Sequence, residues 1–101
     1  EWVIENLCKN AVDAMGGVGV LVISVQETSR YWCIDVADTG KGIDKRYFET
    51  VFAPGYTTKK RGWGLGLSLA RRIVVEYHSG SIFVKQSEIN KGTIFRIELK
   101  K

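Results

Sequence analysis

Residues 31 to 42 read Tyr-Trp-Cys-Ile-Asp-Val-Ala-Asp-Thr-Gly-Lys-Gly, a hydrophobic strand that runs into a loop almost without side chains. Trp32, Ile34 and Val36 fall on one face of that strand, while Tyr31, Cys33 and Asp35 fall on the other. Asp38 shares the face of the apolar set, which puts an acid at the rim of the core. Gly40 and Gly42 can take positive φ and let a planar group approach the main chain, where a Cβ would hinder it. A carboxylate beside bare backbone points to a ligand, although Asp-x-Gly-x-Gly also describes many plain turns.

Working outward, Val18 to Gln26 is rich in Val and Ile and is expected to pair with the 31–37 strand as an antiparallel hairpin, with Glu27 to Arg30 as the turn. Upstream, residues 1 to 15 read as a helix with two faces. Val3, Leu7, Ala11 and Ala14 form an apolar stripe, and Gly16-Gly17 suits a left-handed C-terminal cap. A second stripe holds Asn6, Asn10 and Asp13, with the two carboxamides roughly 6 Å apart. Asparagine is a poor helix former, so this face is either a solvated polar surface or a binding surface.

Downstream, Asp44 to Val51 reads as a short helix with Asp44 as N-cap, broken by Pro54-Gly55. Residues 53 to 63 lack apolar periodicity and read as a polar and basic loop carrying Tyr56, Thr57, Thr58, Lys59, Lys60 and Arg61. Gly62-Trp63-Gly64-Leu65-Gly66-Leu67 then leads into the longest helix, about 65 to 77, lined by Leu67, Ala70, Ile73, Val74 and Tyr77. This is neither a dinucleotide fingerprint nor a P-loop. Bare N–H groups at the positive end of a helix nevertheless make an anion site, and a polyphosphate is the natural candidate. Ser79-Gly80 and Asn90-Lys91-Gly92 bracket a strand from Ser81 to Gln86. The last strand, Thr93 to Leu99, alternates cleanly, with Thr93, Phe95, Ile97 and Leu99 facing one way. Thr93 is to this strand what Asp38 is to its own.

With 101 residues, 45% of them hydrophobic, the chain suits one domain, 1–101, with a single core. Its helical pattern begins at residue 1, so it reads as a piece excised from a longer protein. No apolar run approaches the roughly 20 residues of a membrane span, and no signal peptide is visible. Cys8 and Cys33 lie far apart with neither metal-ligand nor disulfide-framework spacing, which suits a reducing cytoplasm. The net charge of +4 is concentrated in Lys59-Lys60-Arg61, Arg71-Arg72 and Lys100-Lys101. It fits phosphate binding as well as solubility.

Taken in order, Glu5-Asn6-Leu7-Cys8-Lys9-Asn10-Ala11-Val12-Asp13-Ala14, Asp38-Thr39-Gly40-Lys41-Gly42, Thr57-Thr58-Lys59, Gly64-Leu65-Gly66-Leu67 and Lys91-Gly92-Thr93 resemble the ATP-binding catalytic domain of sensor histidine kinases. They correspond to that family's N box, first glycine box, end of the phenylalanine box, second glycine box and final Gly-Thr. The family belongs to the GHKL superfamily with DNA gyrase, heat-shock chaperones and mismatch-repair ATPases. The resemblance implies the Bergerat ATP-binding fold, an α/β (α+β) two-layer sandwich of a mixed, mostly antiparallel sheet against three helices.

The resemblance implies that Asp38 accepts a hydrogen bond from the adenine amine, in a slot lined by Ile43, Leu67 and Thr93 and bounded by Gly40 and Gly42. It gives Asn10 to Mg²⁺, flanked by Asn6 and Asp13, which suits a hard cation that takes few protein ligands. Thr57, Thr58, Lys59 and Arg61 fall in the ATP lid, with Lys59 on the terminal phosphate. Gly64 and Gly66 supply the backbone cradle for the phosphates, and Gly62 and Leu65 beside them also fall in the ATP-binding set. Asn10 and Lys59 are thus the expected catalytic residues. Lys59-Lys60-Arg61 also reads as an ordinary solvated charge run. His78, the only histidine, sits where a helix C-terminus favours a polar or cationic group, whereas the family's phosphoacceptor lies on a separate helical hairpin absent from this chain.

Two departures matter. Relatives often read Phe-x-Pro-Phe where this chain has Phe52-Ala53-Pro54-Gly55, which leaves Phe52 alone to anchor the lid. Gyrase-like ATPases place a glutamate four residues before the magnesium asparagine. Here that position is Asn6, which cannot act as general base, and Glu5 is rotated by about 100° around the helix. Phosphotransfer to a histidine is therefore favoured over water attack. The expected partners are ATP or ADP, the phosphoacceptor hairpin of the full-length kinase and a response regulator, with no nucleic acid. The piece is expected to be cytoplasmic and monomeric and the full-length protein a homodimer, with membrane attachment left open. A GHKL-type serine kinase or ATPase is the alternative within the fold. A single-strand nucleic-acid binder using the basic and aromatic residues is the alternative outside it.

Overall fold

The computed structural model describes residues 2–53 and 66–101. Among them run α1 (Trp2–Ala14), β1 (Leu21–Glu27), β2 (Tyr31–Asp38), two 3-10 turns at Lys45–Tyr47 and Thr50–Phe52, α2 (Gly66–His78), β3 (Ser81–Glu88) and β4 (Gly92–Lys100). The strands form one sheet in the order β1-β2-β4-β3, and each neighbouring pair is antiparallel.

One face of that sheet carries the core. Val3 and Leu7 of α1 and Ala70 and Val74 of α2 pack with Val36, Ile82, Val84, Phe95 and Ile97 from the strands. Both helices thus lie on one side, in a two-layer α+β sandwich. The α1 stripe buries Val3, Leu7 and Ala11 as its spacing requires. Gly16 and Gly17, at φ 64° and 82°, end the helix, and the Gly17 N–H closes it onto the Val12 carbonyl at 3.0 Å.

Four local expectations shift. β1 starts at Leu21 rather than Val18, because its partner β2 runs out at Asp38; the Val20 N–H bonds the Thr39 hydroxyl at 3.0 Å instead. As the edge strand, β1 leaves Val22, Ile23 and Val25 largely exposed. The short helix expected over 44–51 is two 3-10 turns, and the break between them lets both Val51 and Phe52 reach the core. Asp44 caps the first turn as expected, accepting from the Arg46 N–H at 2.9 Å. The α2 stripe ends at Val74: the Gly80 N–H bonds the Val74 carbonyl and turns the chain into β3, which leaves Tyr77 76% exposed. β3 runs to Glu88 rather than Gln86, with an irregularity between Val84 and Gln86.

Phe52 is anchored from two sides. Its ring meets Phe95 edge-on at 6.0 Å, and the Arg71 guanidinium stacks 4.0 Å above it. Arg71 also forms a two-pronged bond to Glu49 at 2.9 Å for each contact and reaches the Ile82 carbonyl. One side chain therefore ties the 3-10 segment to α2 and β3.

On the opposite face of the sheet Asp35 and Arg96 are register partners, and the guanidinium grips the carboxylate at 2.7 and 2.9 Å. Lys85 stands 3.7 Å away. The Arg96 hydrogen bond holds the Asp35 carboxyl below its ordinary value, against the opposing effect of burial. A lowered folded-state pKa contributes stability that is complete above the unfolded value, near 3.9, and is lost as pH falls through the folded one. Asp35→Asn is expected to cost about 1–3 kcal/mol at neutral pH and to remove that part of the acid sensitivity, as read by denaturant unfolding between pH 2 and 7.

Candidate functional site

Strand register sets a polar row across the end of the core face. Asp38 on β2 pairs with Thr93 on β4, and Thr93 pairs with Ser87 on β3. Asp38 and Thr93 are 8% and 4% exposed, so both oxygens sit at a buried rim rather than in solvent. The Asp38 carboxylate accepts from the Gly40 N–H at 2.8 Å and from the Thr93 backbone N–H. Burial nonetheless raises its pKa, with the two hydrogen bonds pulling the other way. Desolvation outweighs the donors present. Such a carboxylate gains from one more donor supplied by a ligand.

The loop after β2 is fixed by close backbone contacts. A Cβ at Gly40 would lie 2.7 Å from the Ala14 backbone, and the Lys41 N–H donates to the Ala14 carbonyl at 3.0 Å. Gly42, at φ +78°, leaves room for the Glu88 carbonyl, 2.2 Å from where a Cβ would stand. The Asn90 N–H closes onto the Lys41 carbonyl at 2.8 Å. The Cβ side of both Gly40 and Gly42 is thus taken up by the protein's own backbone. These glycines dock the loop between the C-terminus of α1 and the β3–β4 turn, which presents Asp38.

That docking sets the polar stripe of α1 beside the loop: Asn10 and Asp13 lie in the turn that ends at Ala14. Asn6, one turn earlier, has a buried side-chain Nδ2 with no hydrogen-bond partner among the described residues. A buried, unmet amide donor costs stability unless something occasionally meets it. Ile43 and Leu67 are half-buried against the core, and Gly66 opens α2. Thr57, Thr58, Lys59, Arg61, Gly62, Gly64 and Leu65 lie outside the described residues, as does Trp63. His78 ends α2, exposed, beside a shallow apolar recess of about 40 Å³ lined by Val3, Ile4, Ile34, Ile97 and Leu99. The Ile34–Ile97 pair is four residues along both strands from Asp38–Thr93, so His78 is not part of the row.

Sequence reading missed Ser87. Its hydroxyl accepts from the Ile43 N–H at 2.7 Å, donates to the Gly92 carbonyl at 3.0 Å and lies 2.8 Å from the Thr93 hydroxyl. Strict alternation from the buried Ile82 and Val84 would send Ser87 to the opposite face. The shift between Val84 and Gln86 adds a residue to β3 and reverses the parity, bringing Ser87 opposite Thr93. Only a serine just ahead of the Asn90-Lys91-Gly92 turn could have hinted at this.

The whole chain, residues 1–101, matches the family described as histidine kinase-, DNA gyrase B- and HSP90-like ATPases. The chain belongs to that family. Within these ATPases its relatives are sensor kinases. It is 37% identical over 97 residues to sporulation kinase C of Bacillus subtilis, covering 96% of this chain and 22% of that protein. It is 40% identical over 97 residues to the sensor histidine kinase ZraS of Escherichia coli K12, covering 96% of this chain and 20% of that one. The chain thus spans about one fifth of the length of these relatives. Among solved structures, the catalytic domain of histidine kinase ThkA superposes with a TM-score of 0.84 at 34% identity, over 98% of this chain and 64% of that one. ThkA in complex with the response regulator TrrA superposes at 0.81 with 31% identity, over 98% of this chain and 27% of that one. The histidine kinase type of ATP-binding domain and its α+β sandwich are therefore what this sequence folds into.

Gly42→Ala tests the docking of the loop. A left-handed φ on an alanine costs about 1–2 kcal/mol, and the backbone of Glu88 stands where the methyl would go. Thermal unfolding is expected to show a loss of at least that size, whereas an alanine at Gly16, where a Cβ meets nothing within 4 Å, should cost only the φ strain.

Proposed function

We propose that this chain binds Mg·ATP and serves as the catalytic domain of a two-component sensor histidine kinase, delivering the γ-phosphate to a histidine on a separate dimerisation domain. The observation that carries the reading is Asp38: a buried carboxylate whose desolvation is only partly met, at the end of an apolar face, in a member of an ATPase family. Adenine offers an exocyclic amine to that acceptor and flat apolar faces to Ile43 and Leu67.

The phosphate end follows from the chemistry of the remaining residues. Among the described residues no group of three or more His, Cys, Asp or Glu side chains could hold a metal alone. A divalent cation here would share its ligands between protein and phosphates, as Mg²⁺ commonly does. The Asn10 carbonyl oxygen would hold it, with Asn6 and Asp13 alongside; when bound, the ion neutralises phosphate charge. The buried Asn6 Nδ2 suits a phosphate oxygen or its water. Lys59, by its place in the sequence, belongs on the terminal phosphate, with Thr57, Thr58 and Arg61 nearby, and Gly62, Gly64, Leu65 and Gly66 cradle the chain of phosphates at the positive end of α2.

In the transfer itself an imidazole nitrogen of the partner domain forms a bond to the γ-phosphorus, the bond to the β–γ bridging oxygen breaks and ADP leaves. No side chain here needs to act as base, since a neutral imidazole is already a nucleophile. That agrees with Asn6 standing where a water-activating glutamate is needed for hydrolysis. Catalysis is then positioning and charge neutralisation. The complex of ThkA with its response regulator supports a response regulator as the downstream partner, and the short span of this chain in its relatives leaves the phosphoacceptor hairpin to other parts of the protein. Among the described residues no helix is long and apolar enough to cross a membrane.

Titration with Mg·ADP is expected to show binding that Asp38→Asn weakens by about tenfold to a hundredfold, the worth of a hydrogen bond to a charged acceptor. Absence of binding to the folded wild-type chain at millimolar nucleotide sinks the reading. Because ligand binding favours ionised Asp38, affinity should hold at neutral pH and fall as pH drops through its raised pKa, beginning above the ordinary carboxylate value of 3.8. In Asp38→Asn that decline disappears. A phosphoacceptor hairpin of a related kinase, added in trans with ATP, should acquire acid-labile phosphate. Acid-stable phosphoserine or simple ATP turnover would move the assignment to the serine-kinase or ATPase branch.

A further inference from the structure

We propose that Ser87 is a positioning residue for recognition of the base, acting chiefly through Thr93. The inference rests on the nucleotide reading of the site and names a residue which that reading did not contain.

The argument begins with hydrogen bookkeeping. A serine hydroxyl has one proton and two lone pairs. The Ile43 N–H, 2.7 Å away, occupies one lone pair. Two acceptors then compete for the proton, the Gly92 carbonyl at 3.0 Å and the Thr93 hydroxyl oxygen at 2.8 Å. If the Ser87 proton goes to Gly92, Thr93 must give its own proton to Ser87 and turns only lone pairs toward a ligand. If it goes to Thr93, the Thr93 proton is released for a ligand acceptor. Both arrangements make Ser87 the group that decides what Thr93 offers. Thr93 is the immediate neighbour of Asp38, so the pair would present adjacent polar groups to adjacent positions on a purine edge.

The same hydroxyl joins the segments that frame the slot. Ile43 belongs to the glycine loop, Gly92 to the first position of β4 at the end of the β3–β4 turn, and Thr93 to the next position of that central strand. The irregularity in β3 is what aims Ser87 inward. Without that added residue, Gln86 would face the core beside Thr93. Bulges commonly re-aim a side chain next to a functional site. A partly buried hydroxyl that closes three contacts does more than fill space, because an alanine there leaves the Ile43 N–H unmet and frees the Thr93 rotor.

A double-mutant cycle on ADP affinity tests this, using Ser87→Ala, Thr93→Val and the double variant, with thermal unfolding recorded for each. Ser87→Ala is expected to raise the Kd for Mg·ADP roughly tenfold and Ser87→Thr, which keeps the hydroxyl, to restore it to within about threefold. In the Thr93→Val background the Ser87→Ala effect should shrink to about threefold or less, the remainder passing through Ile43. An unchanged Kd in a folded Ser87→Ala protein overturns the proposal. So does an equal penalty in both backgrounds, which would mark Ser87 as a structural hydroxyl unconnected to Thr93. Failure of the wild-type chain to bind ADP would instead remove the nucleotide reading beneath it. Should Ser87→Ala not fold, Ser87→Cys, nearly isosteric but a weak hydrogen-bonding group, takes its place in the cycle with the same expectations.

Discussion

A carboxylate taken out of water must be met by donors, and at Asp38 those donors are backbone N–H groups that one arrangement of loop and sheet supplies. The Gly40 N–H turns back onto the carboxylate only because the loop after β2 folds tightly against Ala14. The Thr93 N–H arrives only because β4 is in register with β2 at that residue. Gly92, at φ +126°, lets the β3–β4 turn come up against the Asp38 carbonyl, where a Cβ would sit 2.0 Å away. Strand register, turn conformation and the docking of α1 therefore all bear on the state of one carboxylate. A slip in any of them would leave a buried acid without its partners.

The segment approaching residue 54 is held by a different kind of contact. The family resemblance leads to the expectation of a second aromatic after Pro54, whereas here Gly55 follows it. The structure makes up for this with Arg71, which stacks on Phe52 and clamps Glu49. Glu49 is mostly exposed, and its carboxyl is held below the usual range by that guanidinium. An exposed ion pair is worth little alone. The planar fork earns its place by geometry, fixing ring and carboxylate together against α2.

What the sequence made legible was whatever repeats at a fixed local period. The stripe Val3, Leu7, Ala11 and the alternation of β4 reach the core as spacing demands, and in β2 the alternation holds at Val36 and Asp38 but not at its start, where Trp32 is 43% exposed and Cys33 on the other face is buried. What it hid depends on contacts between segments distant in the chain. Ser87 is invisible because a one-residue irregularity in β3 reverses its face, and no local pattern announces such a bulge. Tyr77 keeps helical spacing yet meets no sheet, since Gly80 turns the chain away first. The glycines of the loop were legible as permissive, but their neighbours were not: Ala14 and Glu88 come from elements 26 and 46 residues from Gly40 and Gly42. The basic residues assigned to the phosphates rest on sequence order alone, because they fall outside the described residues.

The unequal treatment of the polar groups in the site says where selectivity would come from. Asp35, on the outer face, receives a full guanidinium, and its pKa falls. Asp38, on the inner rim, receives two neutral backbone donors, and its pKa rises. Two aspartates three residues apart on one strand are thus driven in opposite directions by what faces them. A structural carboxylate is best served by complete satisfaction, as at Asp35. A recognition carboxylate is best left short of a donor, since a ligand that brings one relieves a cost already present in the unliganded protein. A ligand presenting an acceptor at that place leaves the acid buried against a second lone pair, and sites built this way reject the wrong partner far more strongly than apolar pockets do. On the nucleotide reading proposed above, the burial that raises the Asp38 pKa is what makes the site favour a ligand donor, and the Ser87–Thr93 pair beside it would extend the same principle by one hydroxyl.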